Sequence, residues 1–583
     1  MTERGNALRN NEIQTRAVTS ASIMSPVWLT VWALSLSVIW LIPVHFPPWS
    51  TYGADLWTGV MVLIAGCSLL IRSRLSWVWD GLSCWCAVLT MLPWLQWLSG
   101  LLPFAGQAWV SSGYMLGFLL ALLIGAQWEA HSPGQLIAAL CGAIMLAAIV
   151  SVGLQLYVWL YLADDGALGL WALGDTGNRP SANLGQPNQL ATLLIWGLLS
   201  CLWAYSRGAL GALGAICLAV YLILGLSLAQ SRTGFVAVTV TLMAIWWRQK
   251  QWSARQLPWV ATGLYVFMLA CPTVLRWLGD SLLLGREDVL IRGIQVGESR
   301  LDAWRLFVQA ILEQPLMGYG WTEVSSAQIS IAEQLPRLGG IFSHSHNLFL
   351  DLMLWCGIPV AVLTMVILFR WFWLKHKALQ QTEDHILYWM LVIIGIHAML
   401  EFPLQYAYFL LPVGLLMGVL NVRLGTRVVW TSAPTIPMGL LLVAVLGLGV
   451  TVRDYAQVDA SYTLLRLEQG LLGQGRPPLG GAPDVWVLTN YREWIKIGRF
   501  KARANMSAQE LNDMAVVTRS YPSLSLVYRL ATALALNGRP EEALMWLGKI
   551  CKFTSEQECQ LAQRSWKKDS ANDPRLSAVS WPK

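Results

Sequence analysis

Between residues 26 and 453 the chain is a succession of apolar runs of near-spanning length joined by short polar connections. The runs fall at about 26–43, 56–71, 77–98, 108–126, 136–162, 188–205, 209–229, 233–247, 258–278, 346–372, 386–401, 404–421 and 437–453. This pattern predicts an all-α, polytopic membrane protein with roughly 13 transmembrane helices. Composition supports it. Hydrophobic residues are 56% and charged residues 13% of the chain, against about 25% charged in a soluble domain. The 33 Trp suit aromatic belts at two membrane interfaces.

The net charge of +7 does not mark a nucleic-acid binder, because no basic cluster is interleaved with aromatics. Most Lys and Arg lie in connections that share one side, including Arg72, Arg74, Arg207, Arg248, Lys375 and Arg423. Basic residues in short loops mark the cytoplasmic face, so the N-terminal segment 1–25 is expected there. Only Arg179 and Arg232 fall in short connections on the opposite side. The polar start enters the first apolar run with no small-residue cleavage site, so no cleavable signal is expected. An odd number of spans puts the C-terminal segment 454–583 outside, the periplasm if the membrane is a bacterial inner one.

The region 26–453 carries two long outer loops, 163–187 and 279–345. Long loops in compact folds are commonly functional. Within the second, Leu301, Trp304, Phe307, Val308, Ile311 and Leu312 share one face of an amphipathic helix at the membrane surface. From 454 the composition is that of a soluble protein, and 525–550 reads as a helical hairpin resembling a tetratricopeptide unit. The ten Cys show no zinc spacing, and eight lie in or beside apolar runs. Cys551 and Cys559 sit in polar sequence, either bridged or free.

The outer-side polar residues are the candidates for chemistry. His344 and His346 lie in Phe342-Ser-His-Ser-His-Asn347, where Ser345 is expected to cap the next helix and put His346 in its first turn. There the positive helix end would keep the imidazole neutral and able to accept a proton. Arg232 stands in Gln230-Ser-Arg-Thr-Gly234, on the side where the basic bias disfavours it. Arg300 projects into the apolar face of its helix and needs an anion or a carboxylate partner, with Glu401 the alternative to a ligand. Glu401, Gln405, Tyr406 and Tyr408 gather near Pro403, and Asn183-Leu-Gly-Gln-Pro-Asn-Gln189 supplies amides at another helix start. Arg forks match a diphosphate, and amides and aromatics match sugars.

Together these blocks resemble the bacterial protein O-oligosaccharyltransferases of the PglL type, within the O-antigen ligase and polymerase (Wzy) superfamily. The resemblance covers about 180–420, and the helical tail is similar to that branch. It implies a GT-C-like membrane domain that transfers a glycan from undecaprenyl diphosphate to a hydroxyl of a periplasmic protein such as pilin, with no metal or other cofactor. By the same resemblance His346 is the essential catalytic His, and its expected neutral imidazole makes it the candidate general base. Arg232 and Arg300 contact diphosphate, and Gln186 and Tyr406 belong to the donor or acceptor site. Arg179, His344, Asn347, Glu401 and Tyr408 complete the expected substrate-binding set. An O-antigen ligase, a glycan polymerase and a lipid-linked oligosaccharide transporter are the rival readings.

Overall fold

The computed structural model describes residues 24–72, 76–160, 169, 171–174, 179–248, 255–282, 289–334, 337–470 and 480–582. The first fourteen helices run α1 Pro26–Ser37, α2 Tyr52–Arg72, α3 Gly81–Leu98, α4 Ala105–His131, α5 Gln135–Trp159, α6 Pro187–Ser206, α7 Ala212–Ala229, α8 Arg232–Trp247, α9 Leu257–Ser281, α10 Val289–Glu313, α11 Val324–Ser330, α12 Leu348–Ala378, α13 Thr382–Ala398 and α14 Ala407–Arg423. Then follow α15 Thr435–Gly470, α16 Thr489–Arg499, α17 Ala508–Ser520, α18 Leu524–Leu536, α19 Pro540–Phe553, α20 Glu556–Ser570 and α21 Pro574–Ser577. Two short antiparallel strands, β1 Trp77–Asp80 and β2 Val428–Ser432, pair at one end of the bundle.

The protein is thus an all-α polytopic membrane protein. Among the described residues nine helices are long and apolar enough to cross a membrane. The apolar helices Pro26–Trp40, α8 and α14 are shorter. Every apolar run of the sequence coincides with a helix, and α15 continues without a break through residue 453.

The closest helix pair, α4 against α14, is set by glycine. A Cβ on Gly125 would collide with the backbone of Leu415, and one on Gly418 with the carbonyl of Leu122. Gly414 faces Ala121 in the same crossing. Small residues four apart let backbones approach where lipid supplies no hydrophobic drive for association. Gly418→Leu should therefore force the two helices apart and remove most folded protein, read as loss of the monodisperse peak in detergent. Gly113 on α4 meets nothing within 4 Å, so Gly113→Ala should leave that peak unchanged.

A second device shapes the segment that leads into α12. Gly357 departs from helical geometry at φ 76°, ψ 168°, and Pro359 follows it. Proline has no N–H and breaks the ladder. The chain after α10 docks into the break, where Tyr319 N donates to Leu354 O at 2.6 Å and Ile358 N donates to Pro315 O at 2.8 Å. Non-helical backbone at membrane depth survives only with such protein partners.

The C-terminal helices are joined to the same loop. Phe104 and Ile329 are buried in one apolar core with Leu511, Val527, Leu530, Trp546 and Ile550. Arg337 donates to Thr554 O and pairs with Glu556, and Leu338 N donates to Lys552 O at 3.0 Å. Helices α18 and α19 pack as the expected hairpin, and Cys551 and Cys559 form a disulfide.

Candidate functional site

Five helix ends converge at one end of the bundle. α6 begins with Gln186 as N-cap, its side chain accepting from Gln189 N at 2.9 Å. Two residues further, Asn188 is buried and donates Nδ2–H to Glu401 Oε1 at 2.8 Å. Ser231 caps α8 through Gly234 N at 2.9 Å and donates its hydroxyl to Asn188 Oδ1 at 2.6 Å. One Ser thus ties the two helix starts together and sets Arg232 at the first position of α8.

Glu401, just beyond α13, is the hub. Its Oε1 takes Asn188 and Arg300, and its Oε2 accepts from Nδ1 of His346 at 2.7 Å. Burial pushes the Glu401 carboxyl up, but the His346 hydrogen bond and the charge of Arg300 outweigh it and hold it below its usual 4.5. Ionised, Glu401 can only accept, so in the neutral ring Nδ1 carries the proton and Nε2 keeps its lone pair. Arg300 therefore has a carboxylate partner, the alternative that its placement had left open.

The expectation about His346 needs correction. Ser345 does not cap α12. The N-cap is Asn347, whose side chain accepts from Phe349 N and Leu350 N, so His346 lies before the helix. The reason is that Ser345 is spent elsewhere: its N–H donates to Asp351 Oδ1 at 2.7 Å, and its carbonyl takes Trp304 Nε1–H at 2.9 Å. His346 accordingly adopts φ 59°, a left-handed conformation that His tolerates better than most residues. Such outliers cluster at functional sites. It is Glu401, not the helix end, that orients the ring.

The rings of His344 and His346 both pack on Phe402, with centroids 4.4 Å and 5.1 Å away, and Phe342 closes on His346 at 6.0 Å. The His344 Nδ1 is buried with no partner among the described residues. Burial, and then the charge of His346, push His344 down to about 3. A base that weak takes no proton from a hydroxyl, and of the two histidines only His346 has the carboxylate.

The cations outnumber the acid. Arg179 donates to Gln230 O at 3.4 Å, and its guanidinium is lowered by burial and by the like charges of Arg232 and Arg300, with Glu401 opposing. Arg232 is exposed and has no hydrogen-bond or ion-pair partner among the described residues. Three guanidinium groups thus gather where one carboxylate, Glu401, pairs with Arg300 alone among them.

Of the remaining expected residues, Tyr406 packs on Phe402 at 5.9 Å and on Tyr408 at 5.2 Å. Tyr408 is 1% exposed and donates its hydroxyl to Gln189. Asn347 spends both ends of its amide on protein, the Nδ2 on Met399 O at 3.1 Å. Sequence reasoning gave no individual role to Asn188, Ser231, Gln189 or Phe402. All four lie inside blocks it had singled out, but nothing in their spacing shows which amide or ring turns inward.

The fold and site define a polytopic membrane protein with a His–carboxylate pair beside an excess of Arg at one helix-end surface. Three family models match it: protein glycosylation ligase at 180–203, O-Antigen ligase at 217–365, and the C-terminal part of virulence factor membrane-bound polymerase at 386–567. The general O-oligosaccharyltransferase of Acinetobacter baylyi is 27% identical over 548 residues, 90% of this chain and 92% of that protein. The ComP-specific O-oligosaccharyltransferase of the same organism is 27% identical over 246 residues, 42% of this chain and 44% of that protein. The resemblance to protein O-oligosaccharyltransferases of the O-antigen ligase superfamily is borne out along most of the chain.

Proposed function

We propose that this protein is a glycosyltransferase that moves a preassembled glycan from undecaprenyl diphosphate to Ser or Thr hydroxyls of periplasmic proteins, pilin being one candidate. In this reading it sits in a bacterial inner membrane with the N-terminus cytoplasmic and the C-terminal helices periplasmic. The observation that carries it is the His346–Glu401 pair beside three guanidinium groups. His346 Nε2 takes the proton of the incoming hydroxyl, whose oxygen forms a bond to the anomeric carbon. The bond from that carbon to the diphosphate oxygen breaks, and its electron pair leaves on the diphosphate. Arg232 and Arg179, neither paired with a carboxylate, receive that charge, and Arg300 shares it with Glu401.

Inversion follows from the same contacts. A retaining mechanism needs a carboxylate nucleophile, and both oxygens of Glu401 are engaged by Asn188, Arg300 and His346. The test is reconstitution with a defined undecaprenyl-diphosphate glycan and purified candidate acceptors, followed by mass spectrometry. Glycan on a protein Ser or Thr supports the reading. Glycan found only on lipid A core sugars, or only lengthened on its own carrier, overturns it.

Arg232 gives a sharper expectation. Arg232→Ala should lower donor use about ten- to a hundredfold, the usual loss of a charge-assisted contact. Arg232→Lys should recover only part, because an ammonium lacks the planar fork. Initial rates at varied donor concentration measure both, and full activity of the Ala variant would move the diphosphate elsewhere.

A further inference from the structure

The C-terminal helices enclose a groove that the reaction above leaves unused. Its volume is about 720 Å³, and it is lined by α18 and α20 together with Lys501 and Ala502. Its one carboxylate is occupied: Asp569 accepts the Tyr528 hydroxyl at 2.7 Å, across from α18 to α20. Its cations are not. Arg529 spends Nη1 on the carbonyls of Ile497 and Gly498, at 3.0 Å and 2.7 Å. Its Nε and Nη2 have no partner among the described residues, and neither has the exposed Lys501. A half-buried guanidinium without a carboxylate is poised for an anion. On the same wall Leu561 is 61% exposed, a large apolar side chain left to solvent.

The groove is also connected to the base. Lys552 O, at the end of α19, holds Leu338 N, and Arg337 reaches Thr554 O. Gln328 then bonds both Gly340 O and Phe342 N at 2.8 Å, and the Phe342 ring stands 6.0 Å from that of His346. The turn that leads into α20, one wall of the groove, is thereby tied to the segment that ends at the catalytic histidine.

We propose that this groove holds an extended, acidic stretch of the acceptor polypeptide, with a carboxylate on Arg529 and Lys501 and an apolar side chain on Leu561. The inference rests on the protein acceptor of the reading above. Charge selects the occupant, since Lys501 and the Nε and Nη2 of Arg529 outnumber the single carboxylate, Asp569, which already takes the Tyr528 hydroxyl. A chain held there has its neighbouring hydroxyls delivered toward His346.

The experiment uses the full-length protein in nanodiscs and a fluorescein-labelled short peptide of Glu, Leu and Ser, beside the same peptide with Lys for Glu. The acidic peptide should bind, more weakly as salt rises, and the basic one should not. Lys501→Glu combined with Arg529→Gln should weaken binding about tenfold or more. Ser525→Trp, at an exposed position of the groove wall, should block the groove with the cations still in place. In transfer assays with a protein acceptor the same variants should raise the acceptor KM. Equal binding of the two peptides, no binding of either, or unchanged affinity in both variants overturns the proposal. An active enzyme with unaltered acceptor KM defeats the groove alone, whereas wild-type protein that glycosylates no protein defeats the functional reading.

Discussion

His346→Ala should insert, fold and bind the lipid-linked donor yet transfer about 10²–10⁴-fold more slowly, the usual worth of a positioned general base. The ring contributes little to the core: its side chain is 23% exposed and its one ion-pair partner is Glu401. Donor binding can be followed separately from turnover in single-turnover assays with radiolabelled glycan. His344→Ala should be milder, since His344 supports Phe402 and has no carboxylate. The product should have inverted anomeric configuration. Retained configuration, or near-normal turnover of His346→Ala, would defeat the mechanism.

Glu401→Gln should be nearly as damaging, about 10³–10⁴-fold in kcat, although it changes only one atom. A carboxylate forces the proton onto Nδ1, while an amide can donate to Nδ1 and so place the proton on Nε2, the wrong tautomer for a base. The substitution also removes the anion paired with Arg300. Because the two residues act as one unit, the double variant with His346→Ala should lose little beyond either single one. Activity within threefold of wild type in Glu401→Gln would reduce Glu401 to a structural partner of Arg300.

The same pair makes stability depend on pH. The Glu401 value is depressed on folding, so its contribution is present above about 4.5 and is lost as pH falls through the lower folded value. A Glu401→Gln enzyme should lose the stability increment at pH 7 while adding no new transition in mild acid, as thermal unfolding in detergent across that range would show.

The membrane-spanning architecture was legible because lipid as a solvent imposes a linear rule: an apolar run of sufficient length becomes a helix whatever its neighbours are. The same holds for Arg232, conspicuous on the side where basic residues are disfavoured, and for the His344–Asn347 block at a helix start. Local capping was already less certain. Ser345 and Asn347 are both good N-caps, and Asn347 prevailed because Asp351 and Trp304 take the backbone of Ser345.

Pairing was beyond any local rule. His346 and Glu401 are 55 residues apart, Asn188 and Glu401 are 213 apart, and Arg300 and Glu401 are 101 apart. Each of these side chains has several polar candidates within the blocks that carry it, and periodicity cannot rank them. The sequence alone determined the helices, the face on which the chemistry gathers and the residue types available to it. Only the tertiary structure decided that one carboxylate would hold the base, one Arg and one amide at once, because that choice depends on how segments distant in sequence approach, as where Gly234 of α8 meets Ala191 of α6 and Gly357 meets the backbone of Leu316.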